Sequence, residues 1–480
     1  MKRIADAGGV APPAREATKR DRDMAFVSRS SLEKPSMARI GATTRDPMAL
    51  VLLAAIYVKV YFSFSPFKRG PSTNMGEGSP VNQIYWLSIF AFGCWVLWRN
   101  RVTAIELLRR TWFYLIPLIW FAITILWSPE FDTTLRRTVL IFLMMIVALG
   151  VSAGRPSQSD FMNVSVLVLG SVLLFNVLSV FLVPQLAVKG GNFLGIYTHK
   201  NGAGYVGGII FIFLFFYMMS TARFEVKIIA LFASMVGLFF LVGTHSKTSL
   251  GLGLLVPVIG IALYYVLRLE LQWRVMAYVA GSVLMGILAW IVFYIDWTLD
   301  DIGMLVFEDL TFTNRTNVWQ FVIKSIEERP ILGHGYAAFW KTEEGLKNRL
   351  GAQLSDGWAA TAGSAHNGYL NIWLETGLVG LVLCVAIAVI VLHGALHLMK
   401  RSGESYFNRW VYASVFALTL FVLLRDLMEA SLYQAQAGST MLFFVVSYLV
   451  VLWRWQGERR PVYDEPSAQG SVLSLEARSG

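Results

Sequence analysis

The sequence predicts an all-α, polytopic integral membrane protein of about twelve transmembrane helices, with one large loop between helices 9 and 10. Three observations carry this. Hydrophobic residues make up 56% of the 480 residues and charged residues only 15%, with a mean hydropathy of +0.56, whereas a soluble chain is roughly one quarter charged. The apolar residues gather into twelve runs of about 16–23 residues, each near the ~20 that cross ~30 Å of hydrocarbon. One stretch, 296–369, separates two of these runs without a membrane-length apolar segment of its own. Together they exclude a soluble enzyme, a transcription factor and a secreted disulfide scaffold.

Residues 1–46 hold ten Lys/Arg and no apolar run, and read as a disordered basic cytoplasmic tail. No apolar core follows the first charges, so a signal peptide is not expected there. Spans are expected at 48–64, 81–98, 112–127, 138–153, 161–183, 202–220, 226–242, 248–267 and 275–295, so that 47–295 holds helices 1–9. After the loop come 370–392, 411–430 and 438–455, placing helices 10–12 in 370–455 and a second cytoplasmic tail at 456–480. Cys94 and Cys384 fall inside apolar runs, where neither a bridge nor a metal site is expected. No internal repeat is evident.

Orientation follows from charge. With the amino terminus inside, the inner short loops hold twelve Lys/Arg and the outer ones seven: Lys68, Arg69, Arg136, Arg137, Lys189, Lys200 and Lys247. Cytoplasmic loops carry the excess of positive charge, which puts both termini in the cytoplasm of a bacterial inner membrane and the long loop in the periplasm. The same topology accounts for a pI near 9.5 without nucleic acid as a partner. Membrane lipids are the expected surroundings, and the basic tail has the composition to meet anionic ones.

The loop is informative in itself, because segments this long in a compact fold are usually functional. It holds ten acids against six Lys/Arg. Residues Arg315–Arg329 read as a helix: Val318, Trp319, Val322, Ile323 and Ile326 make one apolar stripe, Thr313 or Asn314 can cap the start, and Pro330 ends it. Such a helix suits a membrane surface, and Arg315 in its first turn suits an anion. Gly351–Ala365, rich in Gly, Ala and Ser, reads as mobile.

Topology also collects polar residues on the outer face. His199, Lys200 and Asn201 precede helix 6, His245, Ser246 and Lys247 precede helix 8, the loop brings Arg315 and His334 and ends at His366-Asn367, and helix 11 reaches its outer end with Arg425, Asp426 and Glu429. Ionisable groups at membrane depth are costly and usually functional, and a cluster of cations there fits a lipid-linked phosphate or pyrophosphate. Each has a plainer reading. Lys247 can be an ordinary positive residue in a short turn, Arg315 a surface charge, and His199 and His245 interfacial hydrogen-bonding groups. Arg425 and Glu429, four apart, can neutralise each other. Around His334, in Pro330-Ile-Leu-Gly-His-Gly-Tyr336, the glycines can matter more than the histidine.

The strongest pattern is at the loop exit. His366-Asn367 is followed by nine residues and then Gly377-x-x-Gly380, two glycines that permit a close helix contact. This resembles the signature of the O-antigen ligase and polysaccharide polymerase superfamily. Gly195-Ile-Tyr-Thr-His-Lys-Asn-Gly-Ala-Gly204, Thr244-His-Ser-Lys-Thr248 and Asn314-Arg-Thr-Asn-Val-Trp319 with the Pro330–Tyr336 turn resemble further family segments, so that the likeness covers roughly 190–390. Two positions depart: Lys247 stands where many members have arginine, and Leu381 and Val382 replace two threonines frequent in ligases, which leans toward a polymerase.

The resemblance implies a GT-C-like membrane glycosyltransferase, inverting, metal-independent and without cofactor, that passes a glycan from undecaprenyl pyrophosphate to a hydroxyl of an acceptor glycan. In those terms Arg315 and Lys247, with Lys200, stabilise the leaving pyrophosphate. His366 orients or deprotonates the attacking hydroxyl. Asn367 orients that imidazole or binds sugar, His199, Asn201 and His245 line the substrate site, and Arg425 and Glu429 serve the acceptor. The outer carboxylates are scattered, with no Asp-x-Asp pattern. Further implied partners are proteins of polysaccharide export and chain-length control. Alternatives are an O-antigen ligase acting on lipid A–core, a transporter or flippase, and a non-catalytic scaffold. Against the transporter, the commonest class places its long loop centrally and inside, and no repeated halves are seen here.

Overall fold

The computed structural model describes residues 45–62, 80–294, 311–342, 363–401 and 403–458. Residues 1–44 and 459–480 of the two expected tails, the Lys68-Arg69 turn and most of Gly351–Ala365 lie outside the described residues, while Asp46 and Glu458, expected in the tails, belong to helix ends. Helix α1 covers Pro47–Tyr61, α2 Pro80–Arg99, α3 Arg101–Thr111, α4 Leu115–Ile123, α5 Phe131–Ala153 and α6 Gln158–Leu182. Then follow α7 Lys200–Ser220, α8 Phe224–Gly243, α9 Lys247–Val266 and α10 Leu271–Tyr294, the loop helix α11 Thr311–Glu328, and α12 Gly368–Lys400, α13 Tyr406–Arg425 and α14 Gly438–Glu458. Each of the twelve apolar runs is met by helix. Among the described residues nine helical segments are long and apolar enough to cross a membrane; α1, with 15 residues, is shorter. The protein is an all-α polytopic membrane protein, with one two-stranded ribbon (β1 Val188–Lys189, β2 Asn192–Phe193) as its unanticipated strand structure among the described residues.

Helix starts follow local chemistry. Pro47 opens α1 behind Asp46, whose carboxylate accepts from Met48 N at 3.0 Å. The same carboxylate takes Arg99 Nε at 3.1 Å and Asn100 Nδ2 at 2.7 Å, which joins the near ends of α1 and α2. Ser157 and Asp160 form a reciprocal capping box on α6. Expected boundaries moved where polar residues sit on one helical face. The third span begins at Arg101 and runs to Trp127 through two 3-10 turns, because Thr103, Ala104 and Leu107 bury one face of α3 while its Arg and Glu side chains face away. Likewise α5 begins two turns before the expected 138, and α12 continues to Lys400.

The helices differ in what covers them. α13, α14 and α7 form the centre, with Trp410, Tyr412, Trp453 and Phe213 fully enclosed. α8 and α9 turn Phe232, Met235, Leu254 and Val258 outward, as helices bordered by lipid do, where close packing and not burial from water holds the bundle. Polar groups separate by face. Span ends carrying Asp46, Arg99, Arg110, Arg155 and Glu458 meet on one side: Arg110 pairs with Glu458 and Arg155 reaches Thr103. The opposite side brings together the starts of α7 and α12 and the end of α13.

The loop helix differs from the expectation in two respects. It spans Thr311–Glu328, so Arg315 lies in its second turn and not in the first turn that attracts anions. Most of its apolar stripe packs against the chain itself. Val318, Val322 and Ile326 are buried with Phe321 against Phe339, Trp340, Ala365 and Leu374, while Ile323 is exposed. The periodicity marked an apolar face, and the partner for it came from the chain itself.

α12 is broken at Gly377, which has φ 70° and ψ −179°. The Pro330–Gly333 turn enters the break: Leu378 N donates to Pro330 O at 2.9 Å, and a Cβ on Gly377 would collide with the Ile331 carbonyl. Trp120 Nε1 donates to Thr376 O at 2.8 Å beside it. The first glycine of the pair therefore admits a loop, not a neighbouring helix. His334 Nε2 lies 2.8 Å from Ser325 O and ties the turn to α11, a structural role.

Candidate functional site

The polar centre is built on Glu429. α13 stops at Arg425 because Asp426 Oδ1 takes Ser431 N at 2.8 Å, Ser431 Oγ at 2.9 Å and Leu432 N at 3.0 Å, which turns the chain. Glu429 thus projects from a turn, not from the helix expected at 411–430. Its Oε1 accepts from Asn201 Nδ2 at 2.8 Å and lies 3.3 Å from Arg315 Nη2. Its Oε2 lies 3.5 Å from His366 Nδ1. One carboxylate so joins α7, α11, the entry to α12 and the turn after α13.

Arg425 does not simply neutralise Glu429. Its guanidinium lies over the Tyr205 ring at 4.7 Å, and its Nη2 donates to Asn201 O at 3.3 Å. The α12 entry is clamped to the same turn: Gly368 N donates to Asp426 O at 2.7 Å and to Glu429 O at 3.1 Å. A side chain at 368 would strike the Asp426 carboxylate, so this position requires glycine. His366 takes a left-handed backbone, φ 46°, a conformation costing a non-glycine residue of order 1–3 kcal/mol that its surroundings must hold.

Burial pushes the Glu429 carboxyl up. The His366 hydrogen bond and the Arg425 and Arg315 charges outweigh this, and the group is held below its ordinary value. Burial draws the Arg315 guanidinium down, against Glu429 and with Arg425. Asp426 is pushed up to about 6 by burial, against hydrogen bonds from Leu432 and Ser431. The centre sets two arginines and an imidazole against two carboxylates, one of them reluctant to ionise.

Of the residues expected from sequence, the structure converges Arg315, His366, Asn201, Arg425 and Glu429. Asn367 acts as the α12 cap, its Oδ1 accepting from Tyr369 N at 3.0 Å and Leu370 N at 3.1 Å. His199 and Lys200 are exposed at the start of α7. His245 and Lys247 stand at the start of α9, where Ser246 packs on Gly204 of α7. These four share the face of the cluster but lie outside the described contacts of the Glu429 carboxylate. Asp426, placed on this face from sequence but given no role there, shapes the turn, and sequence reasoning missed Tyr205, Asn371 and Glu375. The last two stand four apart in an apolar run, a signal that was present. Among the described residues no group of three or more His, Cys, Asp or Glu could hold a metal ion.

Helices of membrane length with a loop helix docked over a polar cluster at one bundle face place the chain among the multi-pass membrane proteins. Residues 232–385, which include Lys247, Arg315, His366 and Gly377, match the family model described as O-antigen ligase. The chain is also 25% identical over 269 residues to the exopolysaccharide production protein ExoQ of Rhizobium meliloti (strain 1021), covering 54% of this chain and 59% of that relative. It thus matches less than two thirds of the relative's length. These comparisons support the O-antigen ligase and exopolysaccharide polymerase superfamily, the one that the His366 motif resembles.

Proposed function

We propose that this protein is a polysaccharide polymerase that joins lipid-pyrophosphate-linked repeat units by inverting glycosyl transfer. The observation that supports it most is that Arg315 and His366, both inside the segment that matches the ligase model, meet on Glu429 beyond its end. In this reading the acceptor hydroxyl attacks the anomeric carbon and the bond to undecaprenyl pyrophosphate breaks. His366 takes the hydroxyl proton, and Glu429 steadies the imidazolium that results. Arg315, with Lys247 and Lys200 at the neighbouring helix starts, faces the departing pyrophosphate. Asn201 and Arg425 belong to the wall of the sugar site.

Replacing His366 with alanine is expected to abolish long polymer in cells at unchanged protein level. Normal chain length would refute the catalytic assignment. A second reading keeps the chemistry and takes lipid A–core as acceptor; the family model's description as O-antigen ligase favours it. A deletion strain separates the two. Lost secreted polysaccharide marks a polymerase, and intact polymer without attachment to lipopolysaccharide marks a ligase.

The cluster faces the periplasm in this proposal, with both termini cytoplasmic and 296–369 as the periplasmic loop. The gathering of Arg99, Arg110 and Arg155 on the opposite face supports that sidedness. A cysteine placed at His199 should react with a membrane-impermeant maleimide in intact cells, and one at Arg101 only after permeabilisation. The reverse pattern would overturn the orientation.

A further inference from the structure

Beneath His366 lies a buried polar chain that the mechanism above does not use. Glu375 is two turns into α12 and enclosed, 6% exposed. Its Oε1 accepts from Asn371 Nδ2 at 2.9 Å and its Oε2 from Ala337 N at 2.9 Å. Asn371, also buried, accepts through Oδ1 from Trp340 Nε1 at 2.8 Å and from Ala365 N at 3.2 Å. Ala365 O in turn accepts from Trp319 Nε1 of α11 at 3.0 Å. Both backbone groups of the residue before His366 are therefore held, one from α12 and one from the loop helix.

We propose that Glu375 and Asn371 are positioning residues, a buried pair whose hydrogen-bond polarity fixes Ala365 and so holds the His366 imidazole beside Glu429. The inference rests on the role of His366 proposed above and adds the device that places it. The logic lies in donors and acceptors. Trp340 Nε1 and Ala365 N can only donate, so the Asn371 oxygen must face them and its NH₂ must face Glu375. Glu375 meets two donors, Asn371 Nδ2 and Ala337 N, and both of its oxygens must accept. Nothing in the chain can turn over without setting donor against donor in a buried interior, where an unmade hydrogen bond is costly. The pinned residue then hands on to His366, whose left-handed backbone needs outside support. On its other side Gly368 is clamped to the turn bearing Glu429.

A swap tests this without changing shape. In Glu375→Gln the amide can accept from Asn371 or from Ala337 but not from both. The remaining contact becomes donor against donor, or Asn371 flips and turns its NH₂ on Ala365. Asn371→Asp places two carboxyls together. The double variant E375Q/N371D restores every contact. The carboxylate then at position 371 accepts from Trp340, from Ala365 and from the amide NH₂ at position 375, while the amide oxygen at 375 accepts from Ala337.

The full-length protein in proteoliposomes is assayed for turnover, and the rate of diethyl pyrocarbonate modification at His366 is followed by peptide mass spectrometry. Each single variant should lower turnover by about tenfold or more with KM within about twofold. Each should also raise the His366 modification rate roughly twofold or more. The swap should return both readouts to near the native values. If a single variant leaves the modification rate unchanged, or if the swap fails to restore it, the positioning role is refuted. His366→Ala tests the underlying reading on its own. Full activity there, with the modification pattern in the Glu375 and Asn371 variants as expected, would remove the catalytic role of His366 and leave the positioning pair standing.

Discussion

On the proposed function, replacing Glu429 with glutamine is expected to cut polymer formation by at least about 100-fold, and it should lower stability by roughly 3 kcal/mol. The carboxylate meets Arg315, His366 and Asn201 together. Arg315 loses its counter-ion and His366 its carboxylate neighbour at once, and Arg315 is largely enclosed, with a side chain 13% exposed. A buried cation left without its partner is the costly outcome, well beyond the loss of one hydrogen bond. Acid behaviour supplies a second readout. The Glu429 carboxyl is held below its ordinary value of 4.5, so its stabilising contribution is complete above that value and is lost as pH falls through the lowered one. Asp426, pushed up to about 6, works the other way: taking up a proton below that value relieves a buried charge. The native protein should therefore lose thermal stability below about pH 4.5 by a component that Glu429→Gln lacks. Identical acid profiles for the two proteins, measured by thermal shift in detergent, would count against Glu429 as the hub.

The Gly377→Ala variant should be strongly damaging although it lies outside the polar cluster, costing about 2–5 kcal/mol. Two effects add. A left-handed backbone is disfavoured for alanine, and the added methyl would meet the Ile331 carbonyl and the Leu332 amide. The turn must then leave the break in α12, and Leu378 N loses Pro330 O. The control is Gly251→Ala in α9, where no other group lies within reach of a new methyl and the change should stay within about 0.5 kcal/mol. Equal melting temperatures for the two variants would refute the account of the kink.

Much of the site was legible because hydropathy fixes where spans end, and polar residues at span ends on one face have few places to go. Arg315, His366, Asn201, Arg425 and Glu429 were found this way. What each does was less legible. Arg425 and Glu429 look like a helical ion pair only while the helix continues; once Asp426 binds the backbone amides of Ser431 and Leu432, Glu429 swings to other partners. Periodicity showed that α11 has an apolar face, yet Phe339, Trp340 and Leu374, which cover it, lie in separate segments. Gly377 and Gly380 read as a helix-contact motif, and only the backbone at 377 reveals a break. Glu375 and Asn371 stood in plain view as polar residues inside an apolar run. Their spacing signals a buried pair, but the third member, the Ala337 amide, leaves no trace in residue type.

The seating of Pro330 and Ile331 in the α12 break bears on how this region can be exchanged between relatives. A chimera cut at the membrane boundary, near Gly368, would mate a foreign wedge with a native notch, because the notch lies about ten residues further along. Functional hybrids should need the extramembrane cassette and the opening third of the following helix to travel together.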